Sequence, residues 1–262
     1  MLYQPTETKT SQEQLQTIFT QLKSEACLLG GWAIYYLVNK NFEKATGRKY
    51  IGSRDIDLGF HINKKWSKEQ LRNSEFATTI KTIEEIGFKS VSFRLVKDFN
   101  IDNGKELTPE ESAKLPMYQI FQLYIDPIVD YIHPKIKTLL GFVPIDEPLL
   151  SLVFQEKMYN TQLLFGKRVM LPESHVLLAM KINSAPRRDK ENKLIKDIAD
   201  IYALLWHSDI KLSQIREQLF SIIPSEQVRK TIQNFSKDDI TRVAAILGID
   251  TQEISRVLRE TT

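Results

Sequence analysis

Apolar residues recur three and four positions apart at Leu15, Ile18, Phe19 and Leu22, which predicts a helix over about Ser11–Lys23. The short run EACLLGG reads as a strand. It feeds a helix from Trp32, with Ala33, Ile34, Leu37, Val38 and Phe42 as one apolar stripe. RDIDLGFHI reads as a second strand. Ser67 and Gln70 form a capping-box signature for a helix that carries Phe76, Ile80 and Ile83 and stops at Gly87. KSVSFRLV alternates, placing Val91, Phe93 and Leu95 on one strand face.

The polar stretch KDFNIDNGKELTPEESAKLP is expected to be a surface loop. MYQIFQLYID is the next strand, expected to end at Pro127, which cannot donate to a ladder. Residues 150–171 read as a hairpin turning near Phe165-Gly166-Lys167. From Pro172 onward every segment has helical period. The expected fold is therefore α+β: a mixed β-sheet flanked by helices over residues 1–171, then a C-terminal helical domain over 172–262. No internal repeat or low-complexity tract breaks this pattern.

Composition adds exclusions more than assignments. Hydrophobic residues make up 42% and charged residues 26%, as in ordinary globular proteins. With 36 basic and 33 acidic residues the net charge of +3 is too mild to argue nucleic-acid binding, so any such site must be a local patch. The one cysteine, Cys27, rules out an internal disulfide framework and a cysteine-only zinc site, and it suits a buried strand. His61, His133, His175 and His207 lack ligand spacing and read as structural or surface residues. No apolar run reaches the roughly 20 residues of a membrane helix, and the polar N-terminus lacks a signal-peptide core. The expectation is a soluble cytoplasmic protein without a membrane partner.

The chemistry-bearing residues lie on the polar faces. Asp55 and Asp57 are two apart on a strand, so both project to one face. At about 6 Å they would repel by roughly 3 kcal/mol at an effective dielectric of 20. A cation between them converts that repulsion to attraction, and Mg²⁺ (or Mn²⁺) suits paired oxygens plus a substrate phosphate. Gly30-Gly31, where a strand turns into a helix, lets backbone approach a ligand with the first free N–H groups of the helix aimed at phosphate. The spacing fits neither a P-loop nor a dinucleotide fingerprint. On FQLYID, Gln122, Tyr124 and Asp126 share the polar face. Asp126 is a third carboxylate able to take a proton from an attacking hydroxyl or to join a metal site, and Asp130 is its competitor with the same parity. Lys181 stands in an apolar helical stretch from which it could snorkel, and Arg187 and Arg188 lie in a loop able to meet triphosphate or RNA. Asp197 and Asp200 sit off the seam of Leu194, Ile198, Ile201 and Leu205, with Lys193 and Lys196 at i,i+4 distance. That placement allows either solvated salt bridging or a functional role.

Taken in order, GGWA, SRDID, LLAMKI and KDIADIYALL resemble the nucleotidyltransferase superfamily, and in particular the AbiEii-type enzymes, the toxin half of many type IV toxin–antitoxin pairs. The resemblance spans about residues 25–206. It implies that Gly30 and Gly31 hold nucleotide phosphates, with Ser53 and Arg54 of the second motif beside them. It implies Asp55, Asp57 and Asp126 as metal-holding catalytic acids, and Lys181, Arg187, Asp197 and Asp200 as nucleotide-binding residues. The chain departs from the pattern in a long glycine-to-aspartate separation (55 − 31 = 24) and in Lys196 ahead of Asp197, where arginine is usual. The implied partners are a nucleoside triphosphate, an RNA (such as tRNA) or protein acceptor, and an antitoxin protein.

ITRVAAILGIDTQEISRVLRE has helix-turn-helix spacing, with Ala244, Gly248 and Ile254 in place and Val243, Leu247, Ile249 and Val257 as core. Two further readings therefore stand beside the transferase: a DNA-binding regulator using Gln252, Ser255 and Arg256, and a catalytically silent nucleotide-binding homologue.

Overall fold

A computed structural model describes residues 2–261. Through the strand-bearing part the order is α1 (Pro5–Gln21), β1 (Ala26–Leu29), α2 (Gly30–Thr46), β2 (Ile56–Phe60), α3 (Lys68–Arg72) and α4 (Glu75–Glu85). There follow β3 (Lys89–Val91), β4 (Arg94–Asn100), α5 (Pro109–Ser112), β5 (Ile120–Val129) and α6 (Ile136–Leu140). Then come β6 (Ile145–Asp146), α7 (Leu150–Phe154), β7 (Tyr159–Leu164) and β8 (Lys167–Pro172). The rest is helical: α8 (Ser174–Ser184), α9 (Glu191–His207), α10 (Leu212–Ile222), α11 (Ser225–Gln233), α12 (Lys237–Leu247) and α13 (Thr251–Glu260).

The strands form one mixed sheet in the order β3-β4-β5-β2-β1-β8-β7, with β6 on β5. Helices flank this sheet in the sequence, and a helical region follows it, as the patterning leads one to expect. The chain divides into two compact units. One contains Tyr3–Trp32 and Gly52–Leu171, and the other contains Ala33–Ile51 and the chain from Pro172 on. Along the chain the units change over between Leu171 and Pro172 and also on either side of Ala33–Ile51, so most of α2 groups with the later helices.

Several elements differ from the expected ones, each for a local reason. Helix α1 starts six residues before Ser11, because Pro5 suits the first helical position and Glu7 accepts the Gln4 N–H at 2.9 Å. The capping box at Ser67 and Gln70 forms, but the helix it opens is short. Ser74 then caps a second helix, its hydroxyl donating to the Leu71 carbonyl at 2.7 Å and accepting the Ala77 N–H at 3.2 Å. KSVSFRLV is a hairpin, not one strand. Ser92 takes a positive φ of 58°, the chain reverses, and Val91 and Phe93 are 52% and 40% exposed instead of sharing a buried face with Leu95. The loop expected after it keeps strand structure as far as Asn100.

Strand β5 runs through Pro127 instead of ending there. Its one flank pairs with β4 up to Ile125 and with β6 only from Ile128, so the missing N–H falls where that edge changes partner. The hairpin expected over 150–171 is confined to β7 and β8, where Phe165 and Gly166 both take positive φ; residues 150–154 are helical. In the helical unit, α9 is the packing centre. Ile195, Ile198, Ile201, Tyr202 and Leu205 are at most 1% exposed, and each such side chain stabilises by about 1.5–3 kcal/mol relative to exposure.

Candidate active site

The sheet unit builds its site at one end of the β1–β2 ladder. These strands are antiparallel, with Leu29 opposite Asp57, so the residue that leaves β1 arrives beside the Asp57 side chain. That residue is Gly30, at φ +58°, and a Cβ placed on it would stand 1.8 Å from Asp57 Oδ2. Glycine is required twice over, by backbone conformation and by the carboxylate occupying the space of its missing side chain. Gly30→Ala is expected to cost about 1–2 kcal/mol in the backbone alone, a fall of about 2–8 °C in melting temperature. A crystal structure of the variant should show Asp57 displaced.

Strand β5 runs parallel to β2 with Asp126 in register with Asp57, so the two carboxylates project to the same face from adjacent strands, which lie about 4.8 Å apart. This register separates Asp126 from its competitor. Asp130 instead accepts the Ile62 N–H at 2.8 Å and meets His61 Nδ1 at 2.5 Å. Asp55 precedes β2 in a bend and does not belong to the strand. Ser53 is buried, and Arg54 pairs with Glu7 at 3.2 Å while lying over the Phe121 ring at 5.3 Å.

Arg94, which sequence reasoning passed over, completes the row. It follows the Ser92 turn, lies across from Asp126 one step past the Leu95–Ile125 pair, and donates to Asp126 Oδ2 at 2.8 Å. Its guanidinium stands 4.3 Å from the Tyr124 ring centroid and 4.7 Å from that of Phe93. The aromatic faces fix the planar cation and leave its edge for the carboxylate. The polar face read from FQLYID is present as a chain of contacts, in which Tyr124 donates to Gln122 at 2.7 Å and Gln122 to Asp98 at 3.1 Å. The missing signal was the turn, because Ser-Phe is not a turn dipeptide and the alternation ran straight through it.

The donors of Asp55, Asp57 and Asp126 are all hard oxygen, and the Asp57 carboxylate fills the space that the missing side chain of Gly30 leaves. Among the described residues no group of three or more His, Cys, Asp or Glu is arranged to hold a metal. A single Mg²⁺ needs only one or two carboxylates when water and phosphate complete its shell, so the residues fit that ion in that mode.

The helical unit gathers the remaining motif residues. Lys181 Nζ lies 2.6 Å from Asp197 and 2.8 Å from Asp200, and it does not snorkel out. Asp197 also receives Arg188 Nε at 2.5 Å and the Ser184 hydroxyl at 3.2 Å. Asp200 receives the Tyr50 hydroxyl at 2.8 Å and Lys196 Nζ. Both aspartates are at most 1% exposed. They do not lie off the buried seam on a solvated face: the cations of α8 and of the turn after it follow them into the interior. Burial alone would push the Asp197 carboxyl up, but Lys181 and Arg188 outweigh it and hold it below the ordinary value. Burial likewise opposes the Lys181 ammonium, and the two carboxylates raise it overall. Arg187 lies in the single 3₁₀ turn after α8.

Helices α12 and α13 meet at Gly248, whose φ of +67° is the left-handed cap the spacing predicts. Ile254, Val257 and Leu258 of α13 are buried. Arg256 lies over Trp206 at 4.6 Å and pairs with Glu260 at 2.9 Å, and Glu253 accepts the Tyr202 hydroxyl at 2.8 Å. His133, His175 and His207 are buried, as is Cys27. No helix among the described residues is long and apolar enough to cross a membrane.

No protein-family model and no curated protein matches the chain. Among solved structures, an antigenic nucleotidyltransferase-like protein from Paracoccidioides brasiliensis is similar over 84% of this chain and 88% of its own, at 15% identity and a TM-score of 0.41.

Proposed function

We propose that this protein is a metal-dependent nucleotidyltransferase that moves a nucleoside monophosphate from a triphosphate to a hydroxyl of an RNA or protein acceptor, as the toxin of a type IV toxin–antitoxin pair of AbiEii type. The observation that carries the reading is the contact of Gly30 with Asp57 while Asp126 stands in register alongside. Such a corner brings helix N–H groups and carboxylates to one point, as phosphoryl transfer requires.

In this reading the N-terminus of α2, at Gly30 and Gly31, binds the triphosphate through backbone N–H groups. Asp55 and Asp57 would hold Mg²⁺, which supplies neutralisation of phosphate charge when bound. Asp126 accepts the proton of the acceptor hydroxyl at a carboxylate oxygen, oriented by Arg94 on the opposite strand. The hydroxyl oxygen bonds to the α-phosphorus, the bond to the bridging oxygen breaks, and pyrophosphate leaves with that electron pair. Position and charge do most of the work. Lys181 between Asp197 and Asp200 is a buried ion network of the helical unit, and control of the enzyme in the cytoplasm is assigned to a cognate antitoxin.

Incubation of the full chain with each α-labelled triphosphate, Mg²⁺ or Mn²⁺, and total cellular RNA or protein tests this. Label is expected in one macromolecular fraction, with release of pyrophosphate. Absence of label from both fractions with all four triphosphates would overturn the assignment.

A further inference from the structure

At the opposite end of the β1–β2 ladder from the aspartates lies a cavity of about 600 Å³ within the sheet unit. Its floor includes Cys27 and Gly59, paired one repeat along from Leu29 and Asp57. Four residues of extended chain, about 13 Å, separate His61 at its rim from Asp57. The volume is that of a small-molecule site. The walls are aromatic: Phe60, His61, Trp66, Phe76 and Phe154 all line it. The His61 ring sits between two of them, 6.1 Å from Trp66 and 6.0 Å from Phe154.

The polar lining is one-sided. Glu25, Glu69 and Glu75 face the cavity, and among the described lining residues none is lysine or arginine. Glu25 is matched by Arg168 at 2.8 Å. Glu69 and Glu75 lie in the first turns of α3 and α4, where the helix dipole already favours them without a cationic side chain. His61 adds an aromatic ring fixed by its own carboxylate partner. Its Nδ1 meets the buried Asp130 carboxylate, which is anchored in turn by the Ile62 N–H, so the ring is held in place at the rim with its Nδ1 proton directed at Asp130. The hydroxyl of Ser74, also on the lining, is spent on the Leu71 carbonyl.

We propose that this cavity binds an organic ammonium ion with a flat apolar body, an arylalkyl amine in chemical class. Aromatic faces attract a cation and stack on a ring, while the carboxylates accept the N–H bonds of a primary ammonium. The same surface rejects anions, so the site is separate from the triphosphate assigned to the glycine corner. It does not depend on that assignment.

Calorimetric titration of the full chain with 2-phenylethylammonium, against 3-phenylpropionate as a matched anion, tests the proposal at an ionic strength of about 0.15 M, where weak surface attraction is screened. One saturable site is expected for the amine in the millimolar range or better, with the carboxylate at least tenfold weaker. The double variant Glu69→Gln/Glu75→Gln changes two exposed residues and should keep the fold while weakening the amine at least fivefold. Trp66→Phe should retain binding and Trp66→Ala should lose it. The proposal is overturned if the amine does not saturate, if the anion binds equally well, or if the double variant binds the amine unchanged.

Discussion

Asp57→Asn is expected to lower nucleotidyl transfer by at least about a hundredfold, the scale on which removing one preorganised charge acts in an active site. Asp57 stands in register with Asp126 on the adjacent strand, and the amide keeps the shape of the side chain while removing its charge from the corner. Asp126→Asn should reduce activity comparably. Asp130→Asn provides the contrast. It weakens the anchor of His61 and the Ile62 N–H, so it should destabilise the sheet unit and leave the intrinsic rate near that of the parent. Initial rates of label transfer and thermal melts on the three variants separate these outcomes. Equal activity of Asp57→Asn and the parent would remove the Asp57 corner from the chemistry.

Lys181→Met is expected to destabilise the helical unit by about 3–5 kcal/mol, because it strands the buried Asp197 and Asp200 carboxylates without their shared cation. For a chain of this size that is a drop of about 6–20 °C in melting temperature. The pH dependence tests the same network. Burial would raise the Asp197 carboxyl, but Lys181 and Arg188 bring it below the ordinary value of 3.8. On acidification the unfolded chain therefore takes up the proton first. The stabilisation is complete at neutral pH and is lost as pH falls below about 4 through the depressed value. In Lys181→Met the leading cause of the depression is gone, so the stability difference between variant and parent should narrow as the pH is lowered. Chemical denaturation at neutral pH and at pH values below the carboxylate range measures both effects. A constant difference between the two proteins would show that the ammonium is not what holds Asp197.

Much of the fold was legible because its signals are local. Glycine at the β1–α2 junction, the capping residues Ser67 and Gln70, Gly166 in the β7–β8 turn and Gly248 between α12 and α13 act within a few residues of themselves. The helical periods after Pro172 are equally short in range. The misreadings fall where a distant partner overrides a local preference. Pro127 continues a strand because β4 and β6 exchange places beside it, and Ser92 takes a turn that no dipeptide rule marks.

The order of the chain by itself determined that Asp57 and Asp126 stand on the polar faces of their strands and that Lys181, Asp197 and Asp200 are charges set in helices with apolar seams. Tertiary structure decided which of them meet. The register of β5 on β2 put Asp126, and not Asp130 of identical parity, beside Asp57. The β3–β4 turn brought Arg94 to Asp126 from 32 residues away. The packing of α8 on α9 turned two aspartates, readable as solvated helix charges, into a buried network around Lys181. Strand parity and helical period state which way a side chain faces, whereas pairing across the sheet and between helices sets what stands opposite it.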